Sequence, residues 1–277
     1  MRTLPDSGLD RAGVACHDDP VPLMPGAEPF SADGGEVAFL LCHGFTGCPQ
    51  SLRPWAEHLA AEGFTVALPR LPGHGTTWQE MNLTRWPDWL ATVDAELRAL
   101  RRSHRSVFVG GLSMGAALAL RLAVDHGNDV AGLVLVNPMA KLEDKRLAAV
   151  GVLRHVVPSM PGVANDIKKP GMKELAYDRN PLHALHSMLG GCRDLVRDLR
   201  EVTQPVLLLR SARDHVIPAS SSALVLARIS ATDVTEVLLE DSYHVATLDN
   251  DATTIFEGSV DFARRLASRT PDTAGTP

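Results

Sequence analysis

The sequence lacks an excess of basic side chains and any long apolar run. Lys and Arg total 27 against 33 Asp and Glu, a formal net charge of −6. No basic face therefore favours a nucleic-acid partner, and electrostatic attraction to an anionic membrane is not expected. No apolar stretch reaches the ~20 residues that a transmembrane helix requires. The sequence predicts a protein with no nucleic-acid partner and no integral membrane segment.

Cysteine is also scarce, and its spacing has no chemical signature. The four cysteines, Cys16, Cys42, Cys48 and Cys192, form no C-x-x-C pair and have no metal-ligand spacing. A reduced intracellular setting fits them better than a disulfide framework. We therefore predict a cytoplasmic protein without a metal or other cofactor. Oligomeric state is left open.

The two ends of the chain differ from its middle. Residues 1–25 contain acidic residues and scattered prolines but no 7–15-residue apolar core, so they predict a flexible extension rather than a signal peptide. Residues 268–277 are polar and predict a flexible tail. The chain is 45% hydrophobic, which is enough to bury a large core. We predict a single domain over 26–267.

Apolar strands and amphipathic helices alternate through that domain. The predicted strands are Val37–Cys42, Thr65–Arg70, Ser106–Val109, Val130–Val136, Val206–Arg210 and Val234–Leu239. The predicted helices are Gln50–Glu62, Trp86–Arg102, Ala116–Val124 and Asp249–Arg265. Such alternation predicts a mostly parallel central sheet flanked by helices, with right-handed crossovers.

The most informative motif is the pentapeptide Gly111-Leu-Ser-Met-Gly115, which lies between a predicted strand and a predicted helix. A G-x-S-x-G in that context is typical of the nucleophile elbow of an α/β-hydrolase. Glycine at both ends allows the strand and helix to approach closely around a strained turn. The alternative is a merely glycine-rich turn. We predict that Ser113 is a nucleophile.

Two further residues follow predicted strands downstream. Asp214 comes after Val206–Arg210, and His244 comes after Val234–Leu239. The carboxyl ends of parallel strands meet at the edge of the sheet where α/β proteins bind their ligands. The order serine, acid, histidine is also that of α/β-hydrolases. Ser113, Asp214 and His244 are therefore the predicted catalytic residues.

In that arrangement His244 takes the proton of the serine hydroxyl, and Asp214 holds the imidazole in the correct tautomer. Each residue has a structural alternative, since an Asp after a strand is often a turn or cap residue and a loop His is often a surface residue. His215 competes for the role of base, and Asp241 is the weaker candidate acid.

An oxyanion hole requires two backbone N–H groups aimed at the developing negative charge. Met114, which follows the serine, supplies one at a helix N-terminus. Phe45 follows His43-Gly44 at the end of a predicted strand and is the natural source of the second. We predict a hydrogen-bonded structural role for His43 itself rather than a catalytic one.

One interval interrupts the alternation. The stretch of chain between Val136 and Val206 contains too many residues for a simple crossover. We therefore predict a cap insertion over about 139–203. Its segments Leu147–Leu153 and Val156–Val163 are apolar but interrupted by glycine and proline. They are expected either to line an acyl-chain pocket, with Val152 and Val156 among the lining residues, or only to pack the cap onto the core.

Four segments carry a family resemblance. They are His43-Gly-Phe-Thr-Gly47, Leu71-Pro-Gly-His-Gly75, Gly111-Leu-Ser-Met-Gly115 and Ser242-Tyr-His-Val-Ala-Thr-Leu-Asp249. They resemble small bacterial monoacylglycerol lipases and their carboxylesterase relatives, as does Lys173-Glu-Leu-Ala-Tyr177 in the cap. The resemblance covers about residues 26–267. It implies the same triad and oxyanion hole, and hydrolysis of glycerol monoesters and simple acyl esters.

Three function hypotheses follow. The first is a serine hydrolase that cleaves monoacylglycerols and related short-to-medium-chain esters, with an apolar acyl chain as the bound partner. The second is a general carboxylesterase without preference for glycerol. The third belongs to another class, because the same fold also serves noncatalytic ligand receptors and cofactor-free oxygenases or haloperoxidases. Covalent labelling by a fluorophosphonate separates the third from the first two.

Overall fold

A computed structural model describes residues 21–141, 143 and 145–268 of the chain. Most of the predicted extension over 1–25 and of the predicted tail over 268–277 lies outside the described residues. Within the extension, the Met24 N–H donates to the Gly75 carbonyl at 2.8 Å. Contact with the rest of the protein therefore begins before residue 26.

The predicted strands form one sheet. In the described part of the chain the strands are β1 (Phe30–Ala32), β2 (Val37–Cys42), β3 (Thr65–Leu68), β4 (Ser106–Leu112), β5 (Gly132–Val136), β6 (Ser159–Pro161), β7 (Arg179–Pro181), β8 (Val206–Ser211) and β9 (Val234–Leu239). The main sheet has the order β1-β3-β2-β4-β5-β8-β9. Strand β1 is antiparallel to β3, and every other pair is parallel. All six predicted strands are present, and β2 and β9 have the predicted bounds.

Helices cover both faces of the sheet. They are α1 (Arg53–Ala61), α2 (Trp78–Met81), α3 (Trp86–Arg101), α4 (Met114–His126), α5 (Val150–Leu153), α6 (Leu182–Asp198), α7 (Ala219–Arg228) and α8 (Ala252–Ala267). No helix in this described part is long and apolar enough to cross a membrane. The predicted helices at Gln50 and Asp249 begin three residues later, because 3₁₀ turns over Pro49–Ser51 and Ala246–Leu248 precede them.

The core explains why the strands are continuous apolar runs rather than alternating ones. In β2, Ala38, Leu40 and Cys42 pack with α3, α4 and α6 on one face. Phe39 and Leu41 pack with α1 and α8 on the other face. Successive side chains of a strand point to opposite faces, and here both faces are buried. The buried parallel strands hold the loops at their carboxyl ends in fixed positions.

The insertion between β5 and β8 packs onto the helices at one face of the sheet. It contains α5, the antiparallel pair β6–β7 and the long helix α6, which packs against α3 and α4. Helix α6 was not predicted, because Gly190 and Gly191 in its interior weaken the helical signal. Gly191 is required by packing, since a Cβ built there would lie 2.3 Å from Trp86 Cδ2.

Candidate active site

Ser113 occupies a strained turn between β4 and α4. Its φ and ψ are 57° and −116°, a region that non-glycine residues rarely adopt and that costs roughly 1–3 kcal/mol. Hydrogen bonds hold the strain in place. The Ser113 N–H donates to the Val136 carbonyl at 3.0 Å, and its carbonyl accepts from the Met139 N–H at 3.2 Å. Such strain is common at functional sites.

The two flanking glycines are required by close packing. A Cβ on Gly111 would lie 2.3 Å from the Gly115 carbonyl carbon. A Cβ on Gly115 would lie 1.8 Å from the carbonyl oxygen of Cys42. No side chain fits at either distance. The spacing of the G-x-S-x-G motif is therefore set by the contact of α4 with β4 and β2.

Asp214 and His244 are brought together from the loops after β8 and β9. The His244 Nδ1 lies 2.8 Å from Asp214 Oδ2, and both side chains are about nine-tenths buried. The other oxygen, Asp214 Oδ1, accepts from the backbone N–H groups of Val216 at 2.8 Å and Ile217 at 2.7 Å. With Nδ1 bonded to the carboxylate, the Nε2 of His244 is left for a second partner.

The electrostatics around His244 favour its charged form. Burial opposes ionisation, but the hydrogen bond and charge of Asp214, with the charges of Glu174 and Asp166, exceed that effect and raise the pKa of His244 above its ordinary value. A histidine that acts as a base must be neutral. Ester hydrolysis by such a base is therefore expected to fall as the pH drops through this raised pKa.

The predicted oxyanion residues lie beside the serine. Met114 is the first residue of α4, where helix geometry leaves the N–H without an intrahelical acceptor. Phe45 lies in the loop after β2 and lines the same cavity as Ser113. The loop approaches closely, since a Cβ on Gly44 would lie 3.7 Å from the Ser113 Cβ. Thr46, next in the loop, has a φ of 63°.

His43 is a hydrogen-bonded structural residue, in agreement with its predicted role. Its Nε2 accepts from the Leu71 N–H at 3.1 Å, and its Nδ1 lies 3.1 Å from the Gly44 carbonyl. Burial lowers the pKa of His43 to about 4, so the ring is neutral near pH 7. It ties the loop after β2 to the segment that begins at Leu71.

The competing candidates have other partners. His215 Nδ1 lies 2.7 Å from Asp166 Oδ1 in the cap, and 58% of its side chain is exposed. Asp241 pairs with Lys168 and is largely exposed. Neither residue takes part in the Asp214–His244 pair.

Ser113 and His244 open into one cavity of about 260 Å³ beneath the cap. Its polar lining includes Glu174, Asn180 and His215. Its apolar lining comprises Phe45, Leu112, Met139, Leu147, Met160, Pro161, Val163, Leu185, Met188, Val216 and Ile217.

The cap prediction is therefore right in part. Leu147, Met160 and Val163 from the predicted apolar segments do line the cavity. The prediction for Val152 and Val156 is wrong, because these side chains are 74% and 80% exposed and lie outside the lining. Helix α5 turns Val150 inward and Val152 outward, and an apolar composition alone does not specify which face is buried.

Three site residues were missed. Glu174 lies in the segment Lys173–Tyr177, which carries part of the family resemblance, but no role was predicted for it. Burial raises the pKa of its carboxyl to about 7, although the charge of His244 acts to lower it. Asn137 Nδ2 donates to the His244 carbonyl at 2.8 Å, and its φ of 43° marks a constrained position after β5. Asp166 bonds the His244 N–H at 3.1 Å. The last two contacts join residues far apart in sequence, so local patterns carry no signal for them.

A mostly parallel sheet, a serine on a strained strand–helix turn and an Asp–His pair on later loops define the α/β-hydrolase class. Within this class, residues 36–251 match the family model described as "Serine aminopeptidase, S33". The chain belongs to that family. The predicted fold class is thereby confirmed.

Several relatives are similar over nearly their whole length. The chain is 40% identical to a thermostable monoacylglycerol lipase of Bacillus sp. (strain H-257), over 89% of this chain and 98% of that protein. It is 26% identical to a carboxylesterase of Bacillus subtilis (strain 168), over 86% and 97%. The chain is also similar to a solved structure described under "LipS and LipT, two metagenome-derived lipolytic enzymes". The TM-score is 0.86 and the identity 40%, and the match covers 88% of this chain and 100% of that one. These matches confirm the predicted resemblance.

Proposed function

We propose that this protein is a serine hydrolase of carboxylic esters that cleaves monoacylglycerols and related short-to-medium-chain esters. The observation that carries the proposal is the buried 2.8 Å contact between His244 Nδ1 and Asp214 Oδ2, with His244 lining the same cavity as Ser113. An aspartate on one imidazole nitrogen leaves the other to accept a proton from a serine hydroxyl.

The proposed reaction is two acyl transfers. Ser113 Oγ attacks the ester carbonyl while His244 Nε2 takes the hydroxyl proton, and Asp214 stabilises the resulting imidazolium. The backbone N–H groups of Phe45 and Met114 bind the oxyanion. When the intermediate collapses, His244 returns the proton to the leaving alcohol. A water molecule, deprotonated by His244, then attacks the acyl-enzyme. Collapse of the second intermediate releases the carboxylic acid and restores the Ser113 hydroxyl.

Two features support a glycerol ester over a simple ester. The cavity joins an apolar wall to polar groups that include Glu174 and Asn180. A carboxylate or amide can bond the free hydroxyls of a glycerol monoester, whereas a simple alkyl ester offers none. The 40% identity with a monoacylglycerol lipase over nearly all of both chains agrees with this choice.

The domain arrangement and location are part of the proposal. We propose one catalytic domain over 26–267 with a cap over about 139–203, in which the cap supplies Leu147, Met160 and Glu174 to the cavity. The cysteines of the described residues, Cys42, Cys48 and Cys192, are free and buried, which supports a reducing compartment such as the cytoplasm.

A substrate panel tests the function. We expect 1-monoacylglycerols to have a higher kcat/KM than p-nitrophenyl esters of the same acyl chain after correction for the better leaving group. Glu174→Ala is expected to reduce that preference, whereas Glu174→Gln, whose amide can still bond a hydroxyl, is expected to keep more of it. Equal kcat/KM values in the parent would instead support a general carboxylesterase. Faster cleavage of an aminoacyl p-nitroanilide would support the peptidase activity in the family's description, and no turnover with any substrate would support a noncatalytic receptor.

A further inference from the structure

The Asp166 carboxylate lies in the cap, between β6 and β7, but it contacts both loops that carry the Asp214–His244 pair. Its Oδ2 accepts from the backbone N–H of His244 at 3.1 Å and from that of His215 at 3.1 Å. Its Oδ1 lies 2.7 Å from the ring Nδ1 of His215. About 10% of the Asp166 side chain is exposed. One cap side chain therefore joins the loop after β8 to the loop after β9.

The contact between cap and core is reciprocal. From the core, Asp249 accepts from the backbone N–H groups of Lys168 at 2.7 Å and Lys169 at 2.8 Å. The Val245 N–H donates to the Asp166 carbonyl at 3.1 Å. The cap segment around Asp166 is thus held to the histidine loop by both backbone and side-chain bonds.

Asp166 also contributes negative charge near the imidazole. The ionisable groups that face His244 are Asp214 from the loop after β8, and Glu174 and Asp166 from the cap. His215 is bonded to Asp166 on the side exposed to solvent. Each of the three carboxylates favours the imidazolium, which is the form that develops in the transition state when a histidine accepts a proton from a serine.

We propose that Asp166 is a positioning residue for ester hydrolysis, a cap carboxylate that holds the acid loop and the histidine loop in register and supports the imidazolium of His244. This inference rests on the proposed function, because it assigns Asp166 a role through His244 as the base. Asp166 lies outside the lining of the cavity that holds Ser113, so it acts through His244. It makes the cap part of the catalytic unit as well as part of the binding cavity.

Two substitutions separate the two parts of the role. Asp166→Asn keeps an oxygen for the His215 and His244 N–H groups but removes the charge. Asp166→Ala removes both. We expect the alanine variant to lose on the order of 10²-fold in kcat with p-nitrophenyl butyrate and little in KM, since small displacements of a catalytic group have effects of that size. The asparagine variant is expected to retain most of the parental kcat at pH 8.

The pH profile provides a readout that a merely structural role would not move. Because the Asp166 charge favours protonation of His244, its removal is expected to shift the acid limb of kcat/KM to lower pH in both variants. The ratio of variant to parent activity should rise as the pH falls below the parent's acid limb. A variant that only unfolds more easily would lose the same fraction of kcat/KM at every pH where it remains folded.

Asp241→Asn is the matched control. It removes the same charge from the loop that carries His244, and Asp241 also links to the cap through Lys168. Its side chain, however, is 56% exposed and bonds neither histidine. It is expected to keep the parental kcat and acid limb. If both Asp166 variants keep the parental kinetics and pH profile while His244→Ala is inactive, the positioning role is overturned. An active His244→Ala would overturn the proposed function instead.

Discussion

Glu174→Gln is expected to stabilise the protein, and to do so only above mildly acidic pH. The amide has nearly the same shape as the carboxyl but cannot ionise. Burial raises the pKa of Glu174 from about 4.5 to about 7. Between these values the unfolded chain has lost a proton that the folded chain still holds. The parent is therefore destabilised by its Glu174 carboxyl only above about pH 4.5. This destabilisation grows as the pH rises and reaches its full size above about pH 7.

The magnitude follows from the size of this difference. Each pKa unit corresponds to about 1.4 kcal/mol, so the full effect is about 3 kcal/mol. The Glu174 side chain is half-buried and its carboxyl interacts with His244, which reduces the expected gain to about 1–3 kcal/mol. A carboxyl kept at a cost in stability is typical of a functional cavity, where optimal stability and activity conflict.

Urea unfolding of parent and variant at pH 5, 6, 7 and 8 measures the effect. We expect the difference in unfolding free energy to increase from pH 5 to pH 7 and then level off. Glu57→Gln, at an exposed position of α1, is the control and should show no such increase. A variant less stable than the parent at pH 8 would refute the reasoning, because it would mean that the ionised carboxylate is paired in the cavity.

Gly115→Ala tests the elbow, and Met160→Trp with its control Val156→Trp tests the cap. Gly115→Ala is expected to abolish soluble, folded protein, because its Cβ would lie 1.8 Å from the Cys42 carbonyl oxygen; a normal yield and melting temperature would contradict the packing described for the elbow. Met160→Trp should fill part of the cavity that Met160 lines. The exclusion of four methylenes at ~0.8 kcal/mol each would lower kcat/KM for long chains by about two hundredfold while sparing butyryl esters. Val156→Trp, at an exposed position, should leave the chain-length profile unchanged, and an equal shift in both variants would disprove the assigned lining.

The features that could be predicted from the sequence are those that local chemistry determines. The turn at Ser113 needs glycine at Gly111 and Gly115, and both lie within two residues of it. The strands β2 and β8 are read from short apolar runs. The short strand β1 has no such run, because it pairs at the edge of the sheet through only three residues.

The features that were missed depend on distant contacts. Helix α6 contains two adjacent glycines, which lower its helix propensity, so the sequence did not predict it. One of them, Gly191, is required because it packs against the ring of Trp86, which is remote in sequence. Asp166 reaches His244 across 78 residues. Val156 is as apolar as Val163, and both side chains are more than half exposed, but only Val163 lines the cavity. Only the folded cap distinguishes them.

The central claim is that Ser113 is the nucleophile of an ester hydrolase, and the most direct test is kcat/KM of Ser113→Ala with a medium-chain monoacylglycerol. The substitution removes one oxygen and should preserve the circular dichroism spectrum and melting transition. We predict a loss of at least about 10⁴-fold, the scale seen when a member of a catalytic unit is removed. A folded variant that retains more than about one hundredth of the parental kcat/KM would contradict the assignment.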